Sequence, residues 1–147
     1  MNTSSPIWSQ AAVLVARVIF AGVFGMAMTF KFIDINATAS YIAAVGFPAS
    51  VPLAWLAAFF ELGLVVCFLS GALFRQAALA AAAYVLFLAI AFHGPAHWGT
   101  SQVEFGFFVD HFTFIAGLLF AAAHGPGVLA VRLSAIGRSR EARPAHA

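Results

Sequence analysis

Six side chains that can carry or exchange charge stand in otherwise apolar stretches of this sequence: Arg17, Lys31, Glu61, His93, Asp110 and His111. Carboxylates and imidazoles can pass protons near neutral pH, and a buried cation can hold a carbonyl or carboxylate oxygen. An ionised group in hydrocarbon costs several kcal/mol even by lenient scales, so each of these residues marks a candidate site and demands a partner. Two more polar residues, His97 and Glu104, sit between the third and fourth stretches.

Depth suggests how they group. With spans taken as 8–30 and 52–70, Arg17 lies two residues from the middle of the first, about 3 Å at helical rise, and Glu61 at the middle of the second. A buried polar pair Arg17–Glu61 is expected, either as a clamp between helices or as a relay or ligand contact. Lys31 follows Arg17 by fourteen residues, near four turns, and so shares its face. It either looks into the bundle or snorkels to the headgroups. Asp110 and His111 are adjacent, so their side chains diverge by about 100° and only one can face the axis squarely. The carboxylate is the dearer to expose to lipid and is expected inward, with His111 on the flank. Together Lys31, His93, Asp110 and His111 form a ligand or proton site at the outer mouth, with His97 and Glu104 beside it, as a few polar groups in an apolar cavity would.

Other chemistries lack their signatures. No HExxH, CxxC, GxSxG, P-loop or CxxCH occurs, and no serine or cysteine has the partners of a nucleophile, so the catalytic residue is unassigned and no covalent cofactor is expected. His93-x3-His97 has ligand types but no recognised metal spacing, and HGPAHWG reads equally as a turn, so no metal site is expected. Cys67 is alone in an apolar run and reads as a small packed hydrophobe.

The elements that position these residues follow from composition. The 147 residues are 63% hydrophobic and 8% charged, against about 25% charged in soluble domains. Four windows, 7–30, 52–70, 76–92 and 105–123, approach the ~20 apolar residues a spanning helix needs. The expected fold is an all-α integral membrane four-helix bundle over 1–130, followed by a basic, disordered tail at 131–147. Arg75 and the tail residues Arg132, Arg138, Arg140 and Arg143 fall on one side and Lys31 on the other, which puts both termini in the cytoplasm. The tail arginines suit anionic lipid; nucleic acid is not expected. No Lys or Arg precedes the first span, which argues against a signal peptide.

The first outer loop holds NATASYIAAVGFP, a short surface helix that Asn36 or Thr38 can cap and Gly46 can end. Pro52 suits the opening of the second span. Ala21, Gly25 and the Ala77–Ala83 run read as surfaces for close helix packing. Most of the 17 Phe serve packing and lipid contact, and Trp8, Trp55 and Trp98 lie near span ends.

The order of short motifs resembles the DoxX family of small four-helix membrane proteins, from about Arg17 to Gly127. ARVIFAGVFGMAMTFKFID is similar to that family's opening Arg, mid-span Gly and terminal Lys. GFPASVPLAWLAAFFELGLVVCFLSGALFR is similar to its Gly-x-Pro turn, central Glu and Gly-containing exit to Arg. His93 and the HGPG at 124–127 match a His closing the third span and a Gly-Pro-Gly closing the fourth. The family often continues into Ser-Leu-Asp, whereas VLAVRLS here lacks the acid.

The resemblance implies a multi-pass protein of the bacterial inner membrane and, in some members, a subunit of a quinone-linked oxidoreductase. The expected function is therefore an accessory membrane subunit that binds quinone and meets a soluble or membrane oxidoreductase partner. The alternatives are a non-enzymatic scaffold or assembly factor and, third, a small-solute carrier acting as a homo-oligomer.

Overall fold

A computed structural model describes residues 7–99 and 101–130. The expected disordered tail, 131–147, with the four arginines that weigh most in orienting the chain, lies outside the described residues. The elements are α1 (Ile7–Ile33), α2 (Ile35–Ala44), α3 (Ser50–Ser70), α4 (Phe74–His93), a single 3-10 turn (Pro95–His97) and α5 (Gln102–His124), with no strand among the described residues. Four of these, α1, α3, α4 and α5, are long and apolar enough to cross a membrane.

The helices outrun the expected spans by a few residues because their ends are capped from within the fold. Asp34 stops α1 and opens α2: its Oδ1 accepts from the Ala37 amide at 2.9 Å, so the cap is Asp34, not Asn36 or Thr38. The α2 exit is as expected, with Gly46 at φ 93° donating to Ala43. α3 begins at Ser50, two residues before Pro52, whose missing N–H still falls in a first turn that has no internal acceptor for it. At the other end Gly71, φ 76°, donates to the Cys67 carbonyl; a Cβ there would lie 2.6 Å from Ala130 Cβ, so only glycine fits the approach of the chain after α5.

Short connections make successive spans antiparallel. α1 packs along α3 and α5 along α4, with α3 against α4 joining the two pairs. The small residues are packing surfaces: Ala77, Ala78, Ala81, Ala82 and Ala89 are buried along α4, and Gly25 approaches Val65. One core cluster, built on Phe20, Phe24, Phe68, Leu118 and the α4 alanines, fills the bundle toward the 70–74 joint. A second gathers Ala39 and Ile42 of α2 with Ala54 and Phe92 at the opposite end. α2 therefore closes over the bundle end through its buried face, with Tyr41 stacked on Phe92 at 5.1 Å between ring centroids.

Candidate functional site

The two cations of α1 part company. Arg17 is buried and spends its fork on main-chain oxygens: Nε donates to Phe68 O (2.9 Å), Nη2 to Leu69 O (2.6 Å), and Nη1 to Pro126 O (3.1 Å) and Leu129 O (2.6 Å). Phe68 and Leu69 belong to the last turn of α3, whose carbonyls have no helical partner and sit at the negative end of the helix dipole. Arg17 thus ties α1 to the end of α3 and to the segment after α5. Gln10 adds a second tie, its Oε1 accepting from the Val128 amide at 3.0 Å.

The expected Arg17–Glu61 pair is not formed. Equating the span midpoints misplaced the register: α1 has 27 residues and α3 has 21, and Arg17 lies level with residues 68–69, about 11 Å along α3 from Glu61. Lys31 takes Arg17's expected place. Helical side chains lean toward the N-terminus of their helix, and Lys31 Nζ reaches back past Ala27 O (3.4 Å) to Glu61 Oε1 at 2.9 Å. Lys31 therefore turns into the bundle and does not snorkel outward.

Glu61 Oε1 accepts a second bond, from the Tyr84 hydroxyl on α4 at 2.9 Å. Its other oxygen, Oε2, is buried with no hydrogen-bond partner among the described residues. Tyr84 was missed from sequence, although the signal was there: it is one of two tyrosines in the chain and the only hydroxyl-bearing residue of α4. A buried phenol ordinarily finds a hydrogen-bond partner.

Beside this triad lies a cavity of about 770 Å³. Lys31 and Tyr84 line it, so Glu61 stands behind that wall holding both. The rest is mostly apolar and aromatic, including Phe30, Phe47, Phe60, Phe87 and Phe92, with Thr38 and Tyr41 contributed by α2. Partial burial, and secondarily the charge of Glu104, push the Tyr41 phenol above its ordinary value of 10, so near neutrality it stays protonated and able to donate.

His93 and His111 also line the cavity, with ring centroids 5.1 Å apart. His93 Nδ1 is 2.6 Å from Glu104 Oε2, and His111 Nδ1 donates to Phe107 O at 2.6 Å. With both Nδ1 atoms held by oxygen acceptors, each neutral ring has Nε2 left as its acceptor. Glu104, expected in a loop, sits in the first turn of α5 behind the Ser101 cap, where the helix dipole favours a carboxylate. Trp98 donates to His93 O at 2.9 Å, fastening the turn that carries His97.

Asp110 reverses the expectation. It lies on the exposed face of α5 and does not line the cavity, whereas His111, expected on the flank, does. The 100° between them left one inward place, and the imidazole fills it by packing on His93 and bonding within its own helix. Of the proposed outer group, Lys31, His93 and His111 share one cavity and Asp110 does not. Among the described residues no three His, Cys, Asp or Glu side chains gather as metal ligands.

Among known families, the DoxX model matches residues 12–94 of the 147. The matched stretch contains Arg17, Lys31, Glu61, Tyr84 and His93 and ends before α5. No curated protein and no solved structure matches the chain.

Proposed function

The chain belongs to the DoxX family of multi-pass membrane proteins, and from that premise we propose that it is an accessory membrane subunit whose cavity holds a quinone headgroup for a partner oxidoreductase. The observation that carries this reading is the cavity itself. An aromatic-walled space of about 770 Å³ meets polar groups at two places, Lys31 with Tyr84 and His93 with His111. Pockets for small amphiphiles have this make-up, apolar walls with a few placed polar groups. A quinone oxygen can accept from Lys31, whose ammonium has one N–H beyond those given to Ala27 and Glu61, and quinone reduction takes up protons, which histidines and Glu104 are suited to relay. The partner oxidoreductase supplies the electrons in this reading. In this reading the protein lies in a bacterial inner membrane with both termini cytoplasmic, and the cavity end faces outward.

Thermal unfolding of the purified protein in lipid nanodiscs, with and without short-chain benzoquinone and naphthoquinone, tests the reading. The Tm rises saturably with at least one of them, since a ligand that binds only the folded state stabilises it. No rise with either, together with no quinone extractable from the purified protein, ends the proposal.

The Arg17 cluster favours a second reading, a non-enzymatic scaffold, because it joins three segments of the chain at a place where no cavity residue lies. A cavity variant that folds, binds no quinone and still supports the partner's activity would select it.

A further inference from the structure

Asp110 is the ninth residue of α5, about 12 Å along the helix from its start, and it is exposed. No hydrogen bond or ion pair of its side chain exists among the described residues, in contrast to Arg17, Lys31, Glu61, His93 and His111. Lipid tails offer a carboxylate nothing, and intramembrane carboxylates pair with cations or face polar cavities. The surface around it is shaped for close approach. Val103, Gly106 and Thr113, at i−7, i−4 and i+3, share its exposed face, and nothing comes within 4 Å of the place a Cβ would take on Gly106. α5 is also the least buried span, 11% against 22–39% for the others.

We propose that this face of α5 is a docking surface for a transmembrane helix of a partner protein that carries a lysine or arginine at the depth of Asp110. Charge complementarity selects a different protein over a second copy of this chain. Of the three Lys and Arg residues within the described spans, two are committed, Arg17 to four carbonyls and Lys31 to Glu61. Arg75 is at the start of α4, at the membrane end away from Asp110. Two copies meeting on this face in parallel would bring Asp110 toward Asp110, like charges in a medium that screens poorly. A basic side chain on a partner helix neutralises the carboxylate and gains the close contact that Gly106 permits.

The test uses the full protein in lipid vesicles with a synthetic leucine-rich transmembrane peptide bearing one lysine about 12 Å from the end of its apolar stretch, and an all-leucine peptide as control. Energy transfer between labelled protein and peptide reports association. The lysine peptide is expected to bind at least about tenfold more tightly than the control, roughly 1.4 kcal/mol. Asp110→Leu, which removes a charge from a lipid-facing position and leaves the packing intact, abolishes the difference. Asp110→Lys transfers the preference to a peptide with a single aspartate. Equal binding of both peptides to the native protein overturns the proposal. So does self-association of the labelled protein that Asp110→Leu removes, because the face would then belong to a second copy.

Discussion

Arg17 and Lys31 lie on one face of one helix, both turned into the protein, yet they serve opposite ends of the molecule in different ways. Arg17 is surrounded by main-chain carbonyls beside the larger of the two cores, and it does not line the cavity. Lys31 meets a carboxylate that also holds Tyr84, leaves one oxygen of that carboxylate without a partner, and lines an open space. A buried charge alone therefore does not mark a binding site. What separates the two is whether the donors are used up on backbone that any sequence would present, or on side chains set at the edge of a cavity.

The contrast breaks most visibly at Arg17. Four hydrogen bonds from a charged donor are lost in Arg17→Met, and at roughly 1.5–3 kcal/mol for each such bond, even two that go unreplaced cost about 3–6 kcal/mol. Thermal unfolding in detergent should show this as the largest loss of any single change considered. Arg17→Lys should recover less than half of it, because an ammonium cannot span carbonyls from two separate segments as the planar fork does. Near-native stability of either variant would remove the structural role assigned here.

At the other end, Glu61→Gln leaves Lys31 without its counter-charge and is expected to cost about 3–5 kcal/mol. The double change Lys31→Met with Glu61→Leu replaces the pair by apolar bulk and should restore most of that stability, since well-packed hydrophobic replacements of buried pairs are often neutral. Quinone-dependent protection should vanish in the double variant. If protection persists, the polar wall is structural like Arg17 and the comparison collapses.

Tyr84→Phe sharpens it further. It removes one hydrogen bond to a carboxylate, a loss of about 1.5 kcal/mol in stability, while Lys31 keeps Glu61 paired. Weaker quinone protection beyond that stability loss would place the hydroxyl in ligand contact. The smallest effect is expected at Asp34→Ala, where the cap of α2 goes at about 1 kcal/mol. Hydrogen exchange should rise in α2 and leave α3 and α4 protected, because α2 covers the cavity end and carries none of the Arg17 ties.

Hydropathy made the four spans legible because each must satisfy its own backbone in lipid, and it located their ends to within a few residues. The short helix of the first loop was legible from its turn residues, though its cap was Asp34. The residues of the site were legible for the same reason the spans were: a charge stands out in an apolar run. Tyr84 escaped notice because a phenol does not stand out in that way, and Asp110 was turned the wrong way because two adjacent polar residues leave the facing one undetermined.

The sequence by itself determined that this is a membrane bundle of four long helices and which side chains must find partners, because burial in hydrocarbon penalises each residue according to its own chemistry. Only the tertiary structure decided who pairs with whom. Helix lengths fix depth loosely, and the relative slide of α1 against α3 moved Glu61 from Arg17 to Lys31. That slide rests on contacts among Phe20, Phe24, Leu64 and Phe68, and on carbonyls at the end of α3 that no pattern of residue types announces.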